Sequence, residues 1–156
     1  MTREDLTAVE VAILKRGGFS LETEEVDADD PLVQTETEYA ALLKTSLSTA
    51  DAARRLGVDP SRIRRCLTSH PPTLYGIHVG RSWYILEFQF DGDRLLHGLD
   101  EVVSRLDPEF HPVAVFRWFI TPNGDLSTEE LGILSPRDWL RSGLPVEAVA
   151  EIASNL

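Results

Sequence analysis

The sequence predicts a mainly α-helical chain that carries one small β-hairpin, an α+β class. Three observations lead there. Apolar residues recur at three- and four-residue spacing along most of the chain. Glycine and proline stop signals cut those stretches into short helices. One stretch, residues 75–86, instead alternates with a period of two around Gly80.

The chain is organised around residues 48–86. Ser48 or Thr49 suits the start of a helix, and Asp51 places a negative charge in its positive first turn. Ala52, Ala53 and Leu56 form its apolar face, and the two alanines let a neighbouring helix cross closely. Gly57 ends it at a position that favours a left-handed backbone, and Val58 plugs the corner. Asp59 and Pro60 are a good cap and first residue for a second helix that runs to about residue 69. Ile63, Cys66 and Leu67 share one side of it. Ser61, Arg65 and Thr68 lie opposite, flanked by Arg62, Arg64 and Ser69. Arginine forks bond guanine or phosphate, and short hydroxyls reach phosphates.

Pro71 and Pro72 stop the second helix. Tyr75, Ile77 and Val79 then alternate with Leu74, Gly76 and His78, and Trp83 and Ile85 continue the apolar set. To keep those apolar groups on one face, parity demands a three-residue loop, Gly80 to Ser82, with Val79 opposite Trp83 and Ile77 opposite Ile85. Arg81 then sits at the tip. Helix, sharp turn, helix and hairpin in this order are the layout of a winged helix-turn-helix, a DNA-reading unit. The expected DNA contacts are Thr49, Ser61, Arg62, Arg64, Arg65, Thr68 and Ser69, with Arg81 on the wing.

The flanks are read in the same way. Residues 2–16 predict a helix ended by Gly17 and Gly18. Residues 19–35 are acidic and turn-rich and read as an arm. Residues 36–45, with Tyr39, Leu42 and Leu43 apolar, supply the third helix that such a domain needs. Phe88 and Phe90 suggest a third strand or an extended link, and Asp91-Gly92 a turn. A helix is expected over 95–106, stopped by Asp107-Pro108. Residues 111–120 are a dense apolar block, and 121–124 a turn. Ser135 and Pro136 start another helix that Gly143 ends, and a last helix follows Pro145. The division is an N-terminal helix and arm over 1–35, the winged unit over 36–90, and a small helical domain over 91–156.

Composition bounds the function. The chain has 156 residues and a net charge of −11. Its distribution is uneven. Residues 1–43 carry 3 basic and 11 acidic side chains, 44–90 carry 7 and 3, and 91–156 carry 5 and 12. The one basic block coincides with the helix-turn-helix, the local footprint a nucleic acid reads. The acidic flanks oppose non-specific DNA binding and suit a basic protein partner. No apolar run is long enough to span a bilayer and no signal peptide is visible. Cys66 is the single cysteine, so no internal disulfide forms, which fits a reducing cytoplasm. The four histidines lack metal-ligand spacing. No phosphate loop, dinucleotide fingerprint or nucleophile elbow occurs. Neither catalysis nor a cofactor is expected.

Residues 47–65 (LSTADAARRLGVDPSRIRR), Leu74-Tyr75-Gly76, Gly80 to Trp83 and Glu87 to Phe90 resemble the excisionase/MerR-type winged DNA-binding domains of actinobacteria. Residues 116–119, 121–126 and 135–140, with Gly143 and Val146 to Ala150, are similar to the toxin-binding domain of Xre/MbcA/ParS-type antitoxins. That resemblance implies neutralisation of a RES-type, NAD-consuming toxin and autoregulation of the operon. Such antitoxins carry an all-helical N-terminal part, and this chain departs from them in having a hairpin. The order of elements also resembles mycobacterial winged regulators that are Ser/Thr-kinase substrates, which implies DNA binding without implying a toxin; a stand-alone regulator of this kind could be tuned by phosphorylation of the Thr-containing acidic arm.

The expected function is a DNA-binding transcriptional regulator, read first as an antitoxin and alternatively as a stand-alone regulator. A third reading is a protein-interaction module without DNA binding. Trp118, Phe119, Trp139 and Leu140 are the expected partner anchors, because large apolar groups dominate protein interfaces. The acidic end from Glu151 would plug the basic, phosphate-binding site of such a toxin. Expected partners are double-stranded DNA and the toxin, with a homodimer left open and no membrane.

Overall fold

The computed structural model describes residues 30–156. The expected helix over 2–16, its glycine stop and the arm before residue 30 lie outside the described residues. The class is the expected one, mainly α with small β-hairpins.

Helix α1 spans Pro31–Thr45 and begins earlier than the expected residue 36. Its start repeats the Asp-Pro signal seen at residues 59 and 60. The Asp30 carboxylate accepts from the Leu32 N–H at 2.9 Å, and Pro31 takes the first helical position. The acidic character of 19–35 concealed that cap. Leu42 and Leu43 face the core.

Helices α2 (Thr49–Leu56) and α3 (Pro60–Thr68) form the helix-turn-helix. The Ser48 hydroxyl accepts from the Asp51 N–H at 3.0 Å. Gly57 has φ +69°, the left-handed value expected of it. Asp59 makes no side-chain cap bond, so α3 starts on the Asp59 carbonyl and on Pro60 alone. Ala52 and Ala53 are buried, which lets α3 pack on α2 through Ile63 and Leu67.

The hairpin pairs β1 (Gly76–Val79) with β2 (Ser82–Ile85), and its register corrects the expected one. Val79 faces Ser82, His78 faces Trp83, Ile77 faces Tyr84 and Gly76 faces Ile85. The loop is therefore two residues, Gly80 and Arg81, and Gly80 has φ +61°. A glycine with positive φ in the first loop position fits the tight turns that match strand twist. The apolar groups are consequently split, with Ile77 and Ile85 buried on opposite faces. Both faces at the base of this hairpin are covered, so burial there does not require the apolar groups to share one face. Leu47 pairs with Ile85 as an isolated bridge on the outer edge of β2.

A 3-10 turn over Glu87–Gln89 leads into a second, minimal hairpin of β3 (Phe90–Asp91) and β4 (Arg94–Leu95). The expected helix over 95–106 is shorter, α4 at Leu99–Ser104. Gly98 explains the late start: its φ is +74°, and a Cβ there would run into the Val146 side chain. Helix α5 fills the apolar block as Pro112–Ile120, with His111 Nδ1 accepting from the Val113 N–H at 3.1 Å. The expected turn at 121–124 is instead the entry to a bulged hairpin, β5 (Asn123–Thr128) with β6 (Gly132–Leu134). Helix α6 (Pro136–Arg141) is capped by Ser135 as expected, and α7 (Val146–Ser154) follows.

One apolar core runs from Leu42 to Ala153. The boundary drawn at 90/91 falls inside β3, and the packing is continuous across it. Helix α1 rests on α5, and α4 and α6 rest on α7. The Arg137 guanidinium on α6 donates to the Phe88 carbonyl at 2.9 Å and the Phe90 carbonyl at 3.1 Å. The C-terminal segment thereby holds the backbone that leaves the wing.

Candidate nucleic-acid interface

Helix α3 is the core of the site. Ile63 and Leu67 fix its inner face, so helical geometry turns Ser61, Arg62, Arg64, Arg65 and Thr68 outward, and all five are exposed. Arg81 is exposed at the tip of the β1–β2 hairpin.

Pairing separates these arginines from most others. Arg54 pairs with Asp51 at 2.8 Å. Arg55 pairs with Glu87 at 3.1 Å, donates to the Gly92 carbonyl and lies 4.7 Å from the Phe90 ring centre. Arg105, Arg117 and Arg141 are in ion pairs, and Arg137 is bonded to backbone. Arg62, Arg64, Arg65 and Arg81 have neither an ion pair nor a side-chain hydrogen bond among the described residues; Arg94, on β4, shares that condition. An exposed, unpaired guanidinium keeps all five donors for a ligand.

The hydroxyls divide. Ser61 is exposed and unbonded among the described residues, and Thr49 is half-buried at the start of α2. Thr68 donates to the Arg64 carbonyl at 2.8 Å. Ser69 donates to the Cys66 and Pro71 carbonyls at 3.3 and 3.0 Å and ends the helix. The donors of Thr68 and Ser69 are thus engaged within the chain, and both residues act first as local helix-end groups.

Gln89, not singled out from the sequence, ties together the two ends of the hairpin, just before β1 and just after β2. It is fully buried, and its amide is satisfied on both sides. The Tyr75 N–H donates to Gln89 Oε1 at 2.7 Å, while Gln89 Nε2 donates to the Tyr75 carbonyl at 2.7 Å and the Leu86 carbonyl at 2.9 Å. A side-chain amide here replaces a strand partner at the base of the hairpin. The available signal was an amide enclosed by Phe88 and Phe90 in an otherwise apolar run. Next to this clamp, burial and then the nearby Tyr39 push the Tyr75 hydroxyl up to about 12. Along the wing, the His78 and Trp83 rings stack at 4.4 Å with 12° between their planes.

The expected partner anchors lie elsewhere and mostly inside. Phe119 and Leu140 are completely buried, and Trp139 is buried with its indole N–H on the Pro145 carbonyl at 2.8 Å. Trp118 is half-buried and packs edge-on against Phe119. Phe119, Trp139 and Leu140 therefore belong to the apolar core and are not exposed anchors, and Trp118 packs at its edge. Glu151 is exposed. The exposed aliphatics of this part are Ile120, Leu131, Ile133 and Leu156. No cluster of three or more metal-ligating side chains occurs among the described residues. No helix among them is long and apolar enough to cross a membrane.

No protein-family model matches the chain, and no curated protein matches it. Among solved structures it is similar to the NMR structure of Rv2175c, with a TM-score of 0.51 and 18% identity over 85% of this chain and 84% of that one. That likeness is one of fold.

Proposed function

We propose that this protein is a double-stranded DNA-binding transcriptional regulator. Helix α3 enters the major groove with Arg62, Arg64, Arg65 and Ser61, and Arg81 reaches the adjoining backbone from the wing. One observation carries the reading. In a chain of net charge −11, four of the five arginines unpaired among the described residues lie on α3 and the wing tip. Fluorescence anisotropy on a labelled fragment of the gene's own upstream region tests it. Replacing Arg62, Arg64 and Arg65 by Ala together should abolish specific binding. A single Arg65→Ala change should cost about 1–3 kcal/mol where a bidentate base contact is lost. Arg81→Ala should chiefly make the salt dependence shallower, by close to one phosphate contact. A folded triple variant that binds as tightly as the parent refutes the reading.

A second reading adds a toxin partner. Support for it comes from the acidic 91–156 segment, from exposed Glu151, and from Leu131 and Ile133, which are 53% and 59% exposed beside Glu129 and Glu130. An apolar centre with an acidic rim suits a basic partner. Co-expression with the neighbouring gene product tests it: rescue from toxicity should be lost on Leu131→Asp with Ile133→Asp. A non-toxic neighbour, or rescue by that variant, leaves the stand-alone regulator.

A further inference from the structure

A cleft of about 500 Å³ opens where the end of α3, the base of the wing and the corner between α4 and α5 meet. We propose that it is a binding site for a small, flat, largely apolar organic molecule, neutral or singly cationic. This goes beyond the DNA-binding reading and does not depend on it.

The size is that of small-molecule sites, which are concave, mostly apolar and carry few polar groups. Trp83, Tyr75 and Phe110 contribute aromatic groups, and Leu67, Val103 and Pro72 contribute aliphatic ones. Flat rings and prolines favour a flat occupant, because offset stacking gains energy beyond area alone. The cleft is held open by its frame. The Gln89 amide grips both backbone groups of Tyr75. At Gly76 the backbone comes so close to α3 that an added Cβ would lie 2.6 Å from Leu67 Cδ2 and 3.2 Å from Trp83. The wing and α3 therefore cannot close further on each other to fill the space.

Charge narrows the ligand class. No lysine or arginine lines the cleft among the described residues, whereas Asp107 does, exposed, with one oxygen accepting from the Glu109 N–H at 2.9 Å. His70 also lines the cleft, with no side-chain partner among the described residues, and Tyr75 is the third titratable group, its hydroxyl raised by burial and so neutral. A carboxylate-bearing ligand would find no fixed cation here, so an organic acid is disfavoured and an aromatic amine or neutral ring system is favoured. A large protein surface is disfavoured by the concavity, which admits one flat group.

The full chain is titrated with N-phenyl-1-naphthylamine, a neutral flat fluorophore, and in parallel with the anionic 8-anilinonaphthalene-1-sulfonate. The expected result is saturable one-to-one binding of the amine, quenching of Trp83 fluorescence that Trp83→Phe removes, and at least tenfold weaker binding of the sulfonate. Ser104→Phe, which fills the cleft from the end of α4, should weaken the amine at least tenfold at unchanged circular dichroism. Phe110→Ala, which removes a wall, gives the same reading should Ser104→Phe not fold. Non-saturable binding, binding indifferent to both variants, or tighter binding of the sulfonate overturns the proposal. Probe release on raising protein concentration, with a matching rise in sedimentation coefficient, assigns the cleft to a second copy and overturns it too. Failure of DNA binding in the anisotropy assay leaves these outcomes unchanged, so the two readings fail separately.

Discussion

Replacing Gln89 by Met removes the clamp at the base of the wing while keeping the length of the side chain. Three hydrogen bonds are lost, one accepted from the Tyr75 N–H and two donated to the Tyr75 and Leu86 carbonyls. Each contributes about 0.5–1.5 kcal/mol net, so the summed loss is roughly 1.5–4.5 kcal/mol. The middle of that range applies, because Gln89 and the Leu86 carbonyl are buried while the Tyr75 backbone groups are only part-buried. A loss of about 3 kcal/mol lowers Tm by roughly 6–12 °C for a chain of this size. Urea denaturation followed by circular dichroism measures it. Gln89→Glu provides the chemical control. It keeps an acceptor for the Tyr75 N–H but turns a carboxylate oxygen toward two carbonyls. Burial raises such a carboxyl above its ordinary value, so its stability is fully present below about pH 4.3 and is lost as pH rises through the raised value. The glutamate variant should therefore be weakest at neutral pH and recover on acidification. If Gln89→Met stays within about 0.5 kcal/mol of the parent, hydrogen bonding at Gln89 does not hold the wing, and the reasoning fails.

Gly98→Ala should be among the costly glycine substitutions: a left-handed backbone adds about 1–2 kcal/mol and the collision with Val146 about 1–3 kcal/mol, read as a shift in urea midpoint. Gly57→Ala, with the same sign of φ but open space around it, should cost only the backbone part, and an equal loss at both sites would refute the distinction. Tyr75 should ionise near 12 in ultraviolet titration at 295 nm, and Tyr75→Phe should remove that step. Because its folded value lies above the ordinary 10, its stabilising contribution is complete below pH 10 and falls away between pH 10 and about 12.

What the sequence made legible was local chemistry with a short reach. Ser48, Gly57, Pro60, Ser135, Pro136 and Gly143 each act on backbone within one turn, and the helices they bound are found where expected. The start of α1 shows the limit of composition as a guide, since an Asp-Pro cap operates inside an acidic stretch that reads as a linker. The wing register shows the limit of parity. Alternation fixes a register only where one face is buried, and here Ile77 and Ile85 are buried on different faces. The β5–β6 hairpin escaped notice because only Leu126 and Leu134 face inward along it, with a bulge breaking the period between them. Of the candidate site, the exposed arginines were legible from helical periodicity. Their lack of partners was not, since Arg54 and Arg55 stand in the same basic block and only tertiary structure gives them Asp51, Glu87 and the Gly92 carbonyl.

The distribution of pairing gives the acidic excess a physical role. Arg55 is neutralised by Glu87 and held over Phe90, and Arg137 is bound to the backbone just after the wing. These arginines tie the helix-turn-helix to the C-terminal segment and are unavailable to a polyanion. The remaining basic groups on α3 and the wing then face solvent against a chain that is elsewhere strongly acidic. Long-range attraction to DNA is weak for such a molecule, because charges beyond about 8–10 Å are screened and the net field is repulsive. On the proposed reading, attraction would become effective only when α3 and Arg81 lie against the duplex together. Under the proposed DNA-binding reading, such a protein should lose affinity for arbitrary DNA before it loses affinity for a site that α3 can read, so the acidic body would favour specificity over non-specific retention.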